Sequence, residues 1–440
     1  MNAQRLSLIL FFAILFTISI QSIFADDSAP NCSNKAGTLP RPNEPIGLPD
    51  RSPIDHIVVV MNENHSFDNV LGQLSDPKYY GLEVDGLING ISNPDHRGDT
   101  IVPFHQERLC VKDMDHNWDG SHYNWNNGKN DNFVRHAQDK GSDATRVMGY
   151  YNDQDYPLMY FLADKYATSD RYFSSVLGPT HPNRFYLYAG TSFGTVKNYT
   201  LKPLSGGWKN KTIFDALNEA GVSWTFYHAD LSVVMYFTKM YLHNLKHFKP
   251  ASKFDKDAKN NLLPQVVFFE TSSIMGDEHP PFNFQLNQHG LSNHLQSLID
   301  SPSWLTTAAF ITYDEGGGSF DHVPPPMACE PDAIQPILDK KNTTKAKFDR
   351  YGFRVPFLAI SPWVKKHFVS HQTYDHTSVL KLIETKFNVP ALSARDANAD
   401  PFSDLFDFEN PDFSRPTLPS TKIDWGRALG CLLPTKSTHL

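Results

Sequence analysis

The chain contains no block of Lys or Arg, no internal repeat, no Gly/Ser-rich linker and only four cysteines in 440 residues, and each shortage narrows what it can be. With 40 basic against 48 acidic residues the formal net charge is −8, so the basic footprint of a nucleic-acid binder is missing and no nucleic-acid partner is expected. Cys32, Cys110, Cys329 and Cys431 are spaced too widely for a CxxC metal knuckle. In an exported chain they suggest two disulfides among three possible pairings. Without a linker or a charge block to mark a boundary, residues 26–440 read as one domain with long inserted loops. From about residue 400 an irregular tail rich in Pro, Asp and Phe follows. Past the first 25 residues no apolar run approaches the length of about 20 residues that a bilayer core requires.

Those first 25 residues are a different case. Arg5 supplies a positive start, Leu6 to Ile20 is almost wholly apolar, and Ile23-Phe24-Ala25 precedes Asp26-Asp27. The pattern predicts a signal peptide cut near Ala25 and a secreted protein, or one held in a lysosomal or other endomembrane lumen. Sequons at Asn31, Asn198, Asn210 and Asn342 fit a glycosylated surface. A fifth, Asn64-His65-Ser66, falls inside the motif described next and is expected to go unused.

The stretch IVVV at 57–60 reads as a strand covered on both faces, yet it runs straight into MNENHSFDN at 61–69. Polar residues at the C-terminal end of such a strand are where α/β folds place their sites. Further strands are expected over 222–227, 266–270, 308–313 and 357–360, with helices over 212–220 and 377–387 between them. The alternation predicts an α/β fold with a mostly parallel central sheet flanked by helices.

AAFITYDEGGG at 308–318 repeats the first motif's logic: an apolar run ends in Asp314-Glu315, and glycines then turn the chain. If the two strands are neighbours, Glu63, Asn64, Asp314 and Glu315 converge. Three carboxylates cannot share a site unpaired, and an all-oxygen set suits a hard divalent ion, Mg²⁺, Ca²⁺ or Mn²⁺. Each acid pair alone is better explained by helix caps or loop ends. It is their recurrence that points to a site. In SSVLGPTHPNRFYLYAG at 174–190, Thr180 lies at the start of an expected helix, where backbone N–H groups favour an anion. Its hydroxyl suits an ordinary N-cap, or a nucleophile if a metal lowers its pKa. His116 and His279, each beside acids, stand out among 19 histidines.

Six blocks together resemble the phosphoesterase family of non-specific phospholipases C and AcpA-type acid phosphatases: ENHSFDN at 63–69, DHNWDGSHYNWNNGKNDNF at 115–133, PTHPNRFYLYAGTS at 179–192, DEHPP at 277–281, YDEGGGSFDHVPPP at 313–326, and VPFLAISPW with YDHTSVLKLIE within 355–384. The resemblance implies an alkaline-phosphatase-like α/β fold with the site at the C-terminal ends of the strands. It implies Glu63, Asn64, Asp314 and Glu315 as metal ligands, Thr180 as nucleophile, and His116 and His279 as catalytic histidines. Asn183, Arg184 and His322, with Asp321 beside it, fall in the blocks that would contact phosphate. Gly316 stands where plant-like members carry His. The implied activity is a phospholipase C acting through a phospho-threonine, with an acid phosphatase as the alternative and a non-catalytic binder of phospholipid or glycan as the third reading. A phospholipid or other phosphoester is the expected partner, with transient membrane-surface contact. Oligomeric state is left open.

Overall fold

The structure is a computed structural model that describes residues 29–40, 52–77, 80–87, 90–199, 207–230, 232–271, 277–419 and 421–426. The expected signal peptide over residues 1–25 and Cys431 lie outside the described residues.

An eight-stranded sheet organises the chain. In sequence order its strands are β1 (His56–Asn62), β2 (Ala167–Ser169), β3 (Trp224–His228), β4 (Phe248–Pro250), β5 (Val266–Glu270), β6 (Thr307–Tyr313), β7 (Phe357–Ile360) and β8 (Phe368–Ser370). In space they run β8-β2-β7-β6-β1-β5-β3-β4. Pairing is parallel from β6 through β1, β5 and β3 to β4, and again between β8 and β2. Only β7 is antiparallel, to both of its neighbours. The centre of the sheet is buried on both faces, so IVVV, VVFF and AAFI read as continuous apolar runs rather than alternating ones.

Six helices matter below: α1 (Phe67–Val70), α2 (Trp118–Trp125), α3 (Thr180–Ala189), α4 (Ile213–Glu219), α5 (Phe284–Ile299) and α6 (His376–Phe387). Each has a local cause. Thr212 and Asp215 form a capping box at the start of α4. Asp375 caps α6, which ends where Asn388 turns left-handed. All five expected strands and both expected helices are present. One boundary moves: β3 starts at Trp224 rather than Val222, because the Val222 N–H donates to Leu217 O and closes the end of α4. The short strands β2, β4 and β8 carry no periodic signal, being three residues each.

Cys32 pairs with Cys329, closing 297 residues of chain. Cys110 is also disulfide-bonded. The described residues after 400 run mostly without helix or strand, yet they are tied down. Phe402 stacks on Phe310 and Phe357 with ring centroids 5.0 and 5.1 Å away, and the Leu418 N–H donates to Gln296 Oε1 on α5. Among the described residues no helix is long and apolar enough to cross a membrane.

Candidate active site

Sheet register brings the two acid motifs together. Asn62, the last residue of β1, lies opposite Tyr313, the last of β6, so Glu63 and Asp314 leave adjacent parallel strands at the same level. On the other side of β1, β5 ends in Glu270. Three neighbouring strands therefore end in acids.

One cation holds them. Arg184, delivered by α3, is buried and makes four hydrogen bonds: Nε to Asp314 Oδ2 at 3.1 Å, Nη1 to Glu270 Oε1 at 2.7 Å, and Nη2 to Glu63 Oε2 at 3.0 Å and Asn62 O at 3.2 Å. Asp314 Oδ1 accepts the backbone N–H groups of Asn64 and Glu315 at 3.1 and 2.8 Å. Asn64 adopts φ +77°, which an asparagine tolerates better than most residues. Gly317, with φ +60°, makes the close approach possible: a Cβ there would lie 2.1 Å from Asn64 O. Its N–H donates to Glu315 Oε2 at 2.7 Å.

Thr180 occupies the first turn of α3, and the N-cap is Pro179, with no side-chain cap. The helix-cap role for its hydroxyl is thereby removed. Thr180 Oγ1 donates instead to Glu63 Oε1 at 3.3 Å. His116 and His279 come together with ring centroids 5.8 Å apart. Each has Nδ1 against a carbonyl oxygen, Met114 O at 2.7 Å and Pro280 O at 2.6 Å. A carbonyl only accepts, so both rings carry the proton on Nδ1 and leave Nε2 for chemistry. His116 Nε2 lies 3.6 Å from Glu315 Oε1.

The donor set fits a divalent cation. Asn64 Oδ1 and Glu315 Oε1 are buried without a hydrogen-bond partner, which is costly unless something else satisfies them. Burial, and after it the charge of Glu63, pushes Asp314 well above the usual carboxylate range; burial chiefly does the same for Glu315. A cation among these acids relieves both costs. Among the described residues, two other groups place three ligand atoms within 4.8 Å of one another: Asp113, His116 and His279 beside this site, and Asp68, Asp321 and His322.

The second of those groups already has its cation. Arg354 donates to Asp321 Oδ1 at 2.8 Å and Asp68 Oδ1 at 3.0 Å, while His322 bonds Asp68 through Nδ1 at 2.7 Å and Asp85 through Nε2 at 2.9 Å. His322 therefore has neither ring nitrogen left for phosphate, contrary to the expectation from sequence. Asn183 departs likewise. Its amide accepts from Val176 N at 3.0 Å and donates to the carbonyls of Val176, Gly178 and Pro179, so it shapes the loop before Thr180 rather than facing substrate. Burial alone would lower the pKa of His322, but the charge and hydrogen bond of Asp68, with the bond to Asp85, raise it to about 9. A folded value above the unfolded one of about 6.5 means the stabilisation is complete below pH 6.5 and is lost as pH rises through 9. Thermal unfolding should show a loss on the order of 3 kcal/mol across that window, and His322→Gln should flatten it. An unchanged pH slope in the variant would show that His322 is not the group responsible.

A cavity of about 370 Å³ opens over Thr180. Glu63, Arg184, Glu270, Asp277 and His279 supply its polar wall, and Tyr199, Tyr236 and Phe282 its aromatic one. Burial, then the Glu63 charge, raises Asp277 to about 9, so it is neutral at pH 7. Glu278, next in the chain, points the other way. It accepts from Tyr156, Tyr313, Asn287 and Gln288 and so anchors the loop that presents Asp277 and His279. Sequence reasoning passed over Glu270 and Asp277. Glu270 carried the same signal as Glu63, an acid ending an apolar strand; Asp277 stood beside His279 in DEHPP. The aromatic wall gave no signal, since its residues come from separate loops.

The Phosphoesterase family model matches residues 54–390. Phospholipase C B of Mycobacterium tuberculosis is 33% identical over 427 residues, covering 84% of this chain and 81% of that protein. Non-specific phospholipase C1 of Arabidopsis thaliana is 32% identical over 411 residues, covering 86% and 76%. Among solved structures, the lipoteichoic acid synthase LtaP from Listeria monocytogenes aligns with a TM-score of 0.42 at 9% identity, over 84% of this chain and 79% of that one. With a family model covering residues 54–390 and relatives above 30% identity along most of the chain, this protein belongs to the phosphoesterase family.

Proposed function

We propose that this phosphoric ester hydrolase is a phospholipase C that cleaves glycerophospholipids to diacylglycerol and a phosphorylated head group, through a covalent phospho-threonine intermediate at Thr180. The observation that carries the reading is the pocket itself: Thr180 beside Glu63, facing a cavity of about 370 Å³ whose walls are acidic and aromatic. With Asp277 neutral, Glu63 and Glu270 outweigh Arg184 and leave the wall negative. A monoanionic diester with a cationic head group suits that wall, because ring faces and carboxylates both attract an ammonium. A dianionic monoester is repelled unless the histidines are protonated. The relatives named phospholipase C support the same substrate class.

The geometry supports the following steps. The Thr180 hydroxyl proton points at Glu63, which turns the oxygen lone pairs toward phosphorus entering the pocket. A divalent ion held by Glu63, Asn64, Asp314 and Glu315, whether Mg²⁺, Ca²⁺ or Mn²⁺, would lower the pKa of that hydroxyl and balance the acids. As the P–O bond to glycerol breaks, His279 or His116, having first taken up a solvent proton on the Nε2 that its Nδ1–H bond leaves free, passes that proton to the leaving oxygen, and the neutral ring later takes one from the water that cleaves the threonine ester. Arg184 is fully engaged in positioning Glu63 and Asp314, so its contribution to phosphate is through the field it creates rather than a direct clamp. Head group inward and glycerol outward is also the orientation a bilayer-embedded lipid presents, with the exposed Phe282 at the mouth for transient membrane contact. Export through the signal peptide completes the reading, in keeping with the Cys32–Cys329 disulfide.

Hydrolysis of phosphatidylcholine vesicles and p-nitrophenyl phosphate, followed in parallel against pH, tests it. Diacylglycerol release should persist at neutral pH, monoester turnover should need acid, where the monoester itself takes up a proton, and a chelator should suppress both. Matching pH profiles would contradict the charge argument. Monoester turnover alone would make the protein an acid phosphatase, and no turnover of either would leave a non-catalytic binder.

A further inference from the structure

Of the five sequons, Asn198-Tyr199-Thr200 is the one whose asparagine lines the catalytic cavity among the described residues. The others are placed differently. Asn64 is buried inside the site, and the Asn342 amide donates to Asp119 Oδ2 at 3.3 Å. Asn31 and Asn210 are exposed and do not line the cavity.

Asn198 is exposed, and its amide is held in one orientation. Oδ1 accepts the backbone N–H of His181 at 2.9 Å, at the start of α3 and one residue from Thr180. The contact is reciprocated, since the Tyr199 N–H donates to His181 Nδ1 at 2.9 Å. The rings of His181 and Tyr236, both in the cavity wall, pack 5.1 Å apart behind it. An N-glycan attaches through Nδ2, which keeps one hydrogen after linkage, and Oδ1 keeps its bond to His181. The sugar and the helix contact are therefore compatible, and the first sugar would begin one amide group away from the helix that carries the nucleophile.

We propose that Asn198 carries an N-linked glycan that stands at the mouth of the catalytic cavity and selects among substrates by size and setting. Small soluble phosphoesters pass beneath it, whereas a lipid still embedded in a bilayer is reached more slowly, because a hydrated oligosaccharide at the rim shortens the transient contact between the cavity mouth and the membrane. The modification is an ordinary transfer: a lipid-diphosphate-linked oligosaccharide donates its anomeric carbon to Asn198 Nδ2. The C–O bond to the diphosphate breaks, the N–C bond forms, and the amide loses one proton. The inference rests on the phosphoesterase reading of the cavity, and the experiment keeps the two apart.

The full chain would be secreted from a eukaryotic host, as wild type and as Thr200→Ala, which removes the sequon but keeps the Asn198 amide and its bond to His181. A third sample would be wild type trimmed by an endoglycosidase to a single sugar, which needs no mutation. Peptide mass spectrometry reads occupancy of Asn198. Rates are then measured on phosphatidylcholine vesicles and on soluble p-nitrophenyl phosphorylcholine. Both losses of glycan should raise kcat/KM on vesicles by about fivefold or more while changing the soluble rate less than about twofold. An unoccupied Asn198 overturns the proposal, as do vesicle and soluble rates that change by the same factor. No turnover of either substrate, with Asn198 occupied, would overturn the phosphoesterase reading and the inference with it.

Discussion

Replacing Thr180 with alanine should lower kcat by about 10³-fold or more, with the fold intact and KM little changed. The expectation rests on what Thr180 does not do. It caps no helix, and its hydroxyl makes a single bond, 3.3 Å to Glu63 Oε1. Its removal costs no more than an ordinary hydrogen bond, about 1 kcal/mol, so a large loss of rate cannot be assigned to unfolding. Thr180→Ser restores the hydroxyl without the methyl and should recover most of the activity. Circular dichroism melts and steady-state kinetics on the same samples check both parts. Full activity in Thr180→Ala would remove it from the chemistry.

Arg184 should behave in the opposite way, with stability lost first. Burial alone would lower its pKa, but Glu270, Asp314 and Glu63 raise it well above the usual value, so it is charged at every working pH. Arg184→Met leaves Asp314 and Glu270 buried without their cation, and breaking such a pair costs about 3–5 kcal/mol. Arg184→Lys should recover little, because one ammonium cannot reach three carboxylates and a carbonyl in four directions. The denaturation midpoint in urea, with and without added divalent ion, reads the effect. Rescue of Arg184→Met by the ion would fit the shared electrostatics of Arg184 and a metal. A variant as stable as wild type would show that the acids are protonated or solvated instead.

Much of the fold could be read in advance because its central strands are buried on both faces. Ile57–Val60 and Val266–Phe269 appear as unbroken apolar runs, and a run of that kind that stops at an acid marks both a strand end and a site. Convergence of Glu63 and Asp314 followed once β1 and β6 proved to be neighbours, a pairing the sequence suggests only through the repeated motif. Three-residue strands such as β2 and β8 were not readable, since their pairing comes from tertiary contacts. Roles inside the site were the least accessible. Asn183 and His322 sit in the right blocks, but what a side chain faces depends on partners far away in the chain: Val176 and Pro179 for one, Asp68 and Asp85 for the other. Arg184, expected to contact phosphate, is bonded to Glu63, Asp314 and Glu270 instead, and its engagement with Glu270 needed the position of β5.

The most direct test of catalysis at Thr180 is to quench the enzyme during turnover of phosphatidylcholine and weigh the peptide that contains this residue. A phosphocholine group on Thr180, absent from Thr180→Ala and from enzyme without substrate, is the result expected of a phospholipase C that attacks with its threonine. Diacylglycerol release at the wild-type rate with no adduct on Thr180, and undiminished in Thr180→Ala, would contradict it.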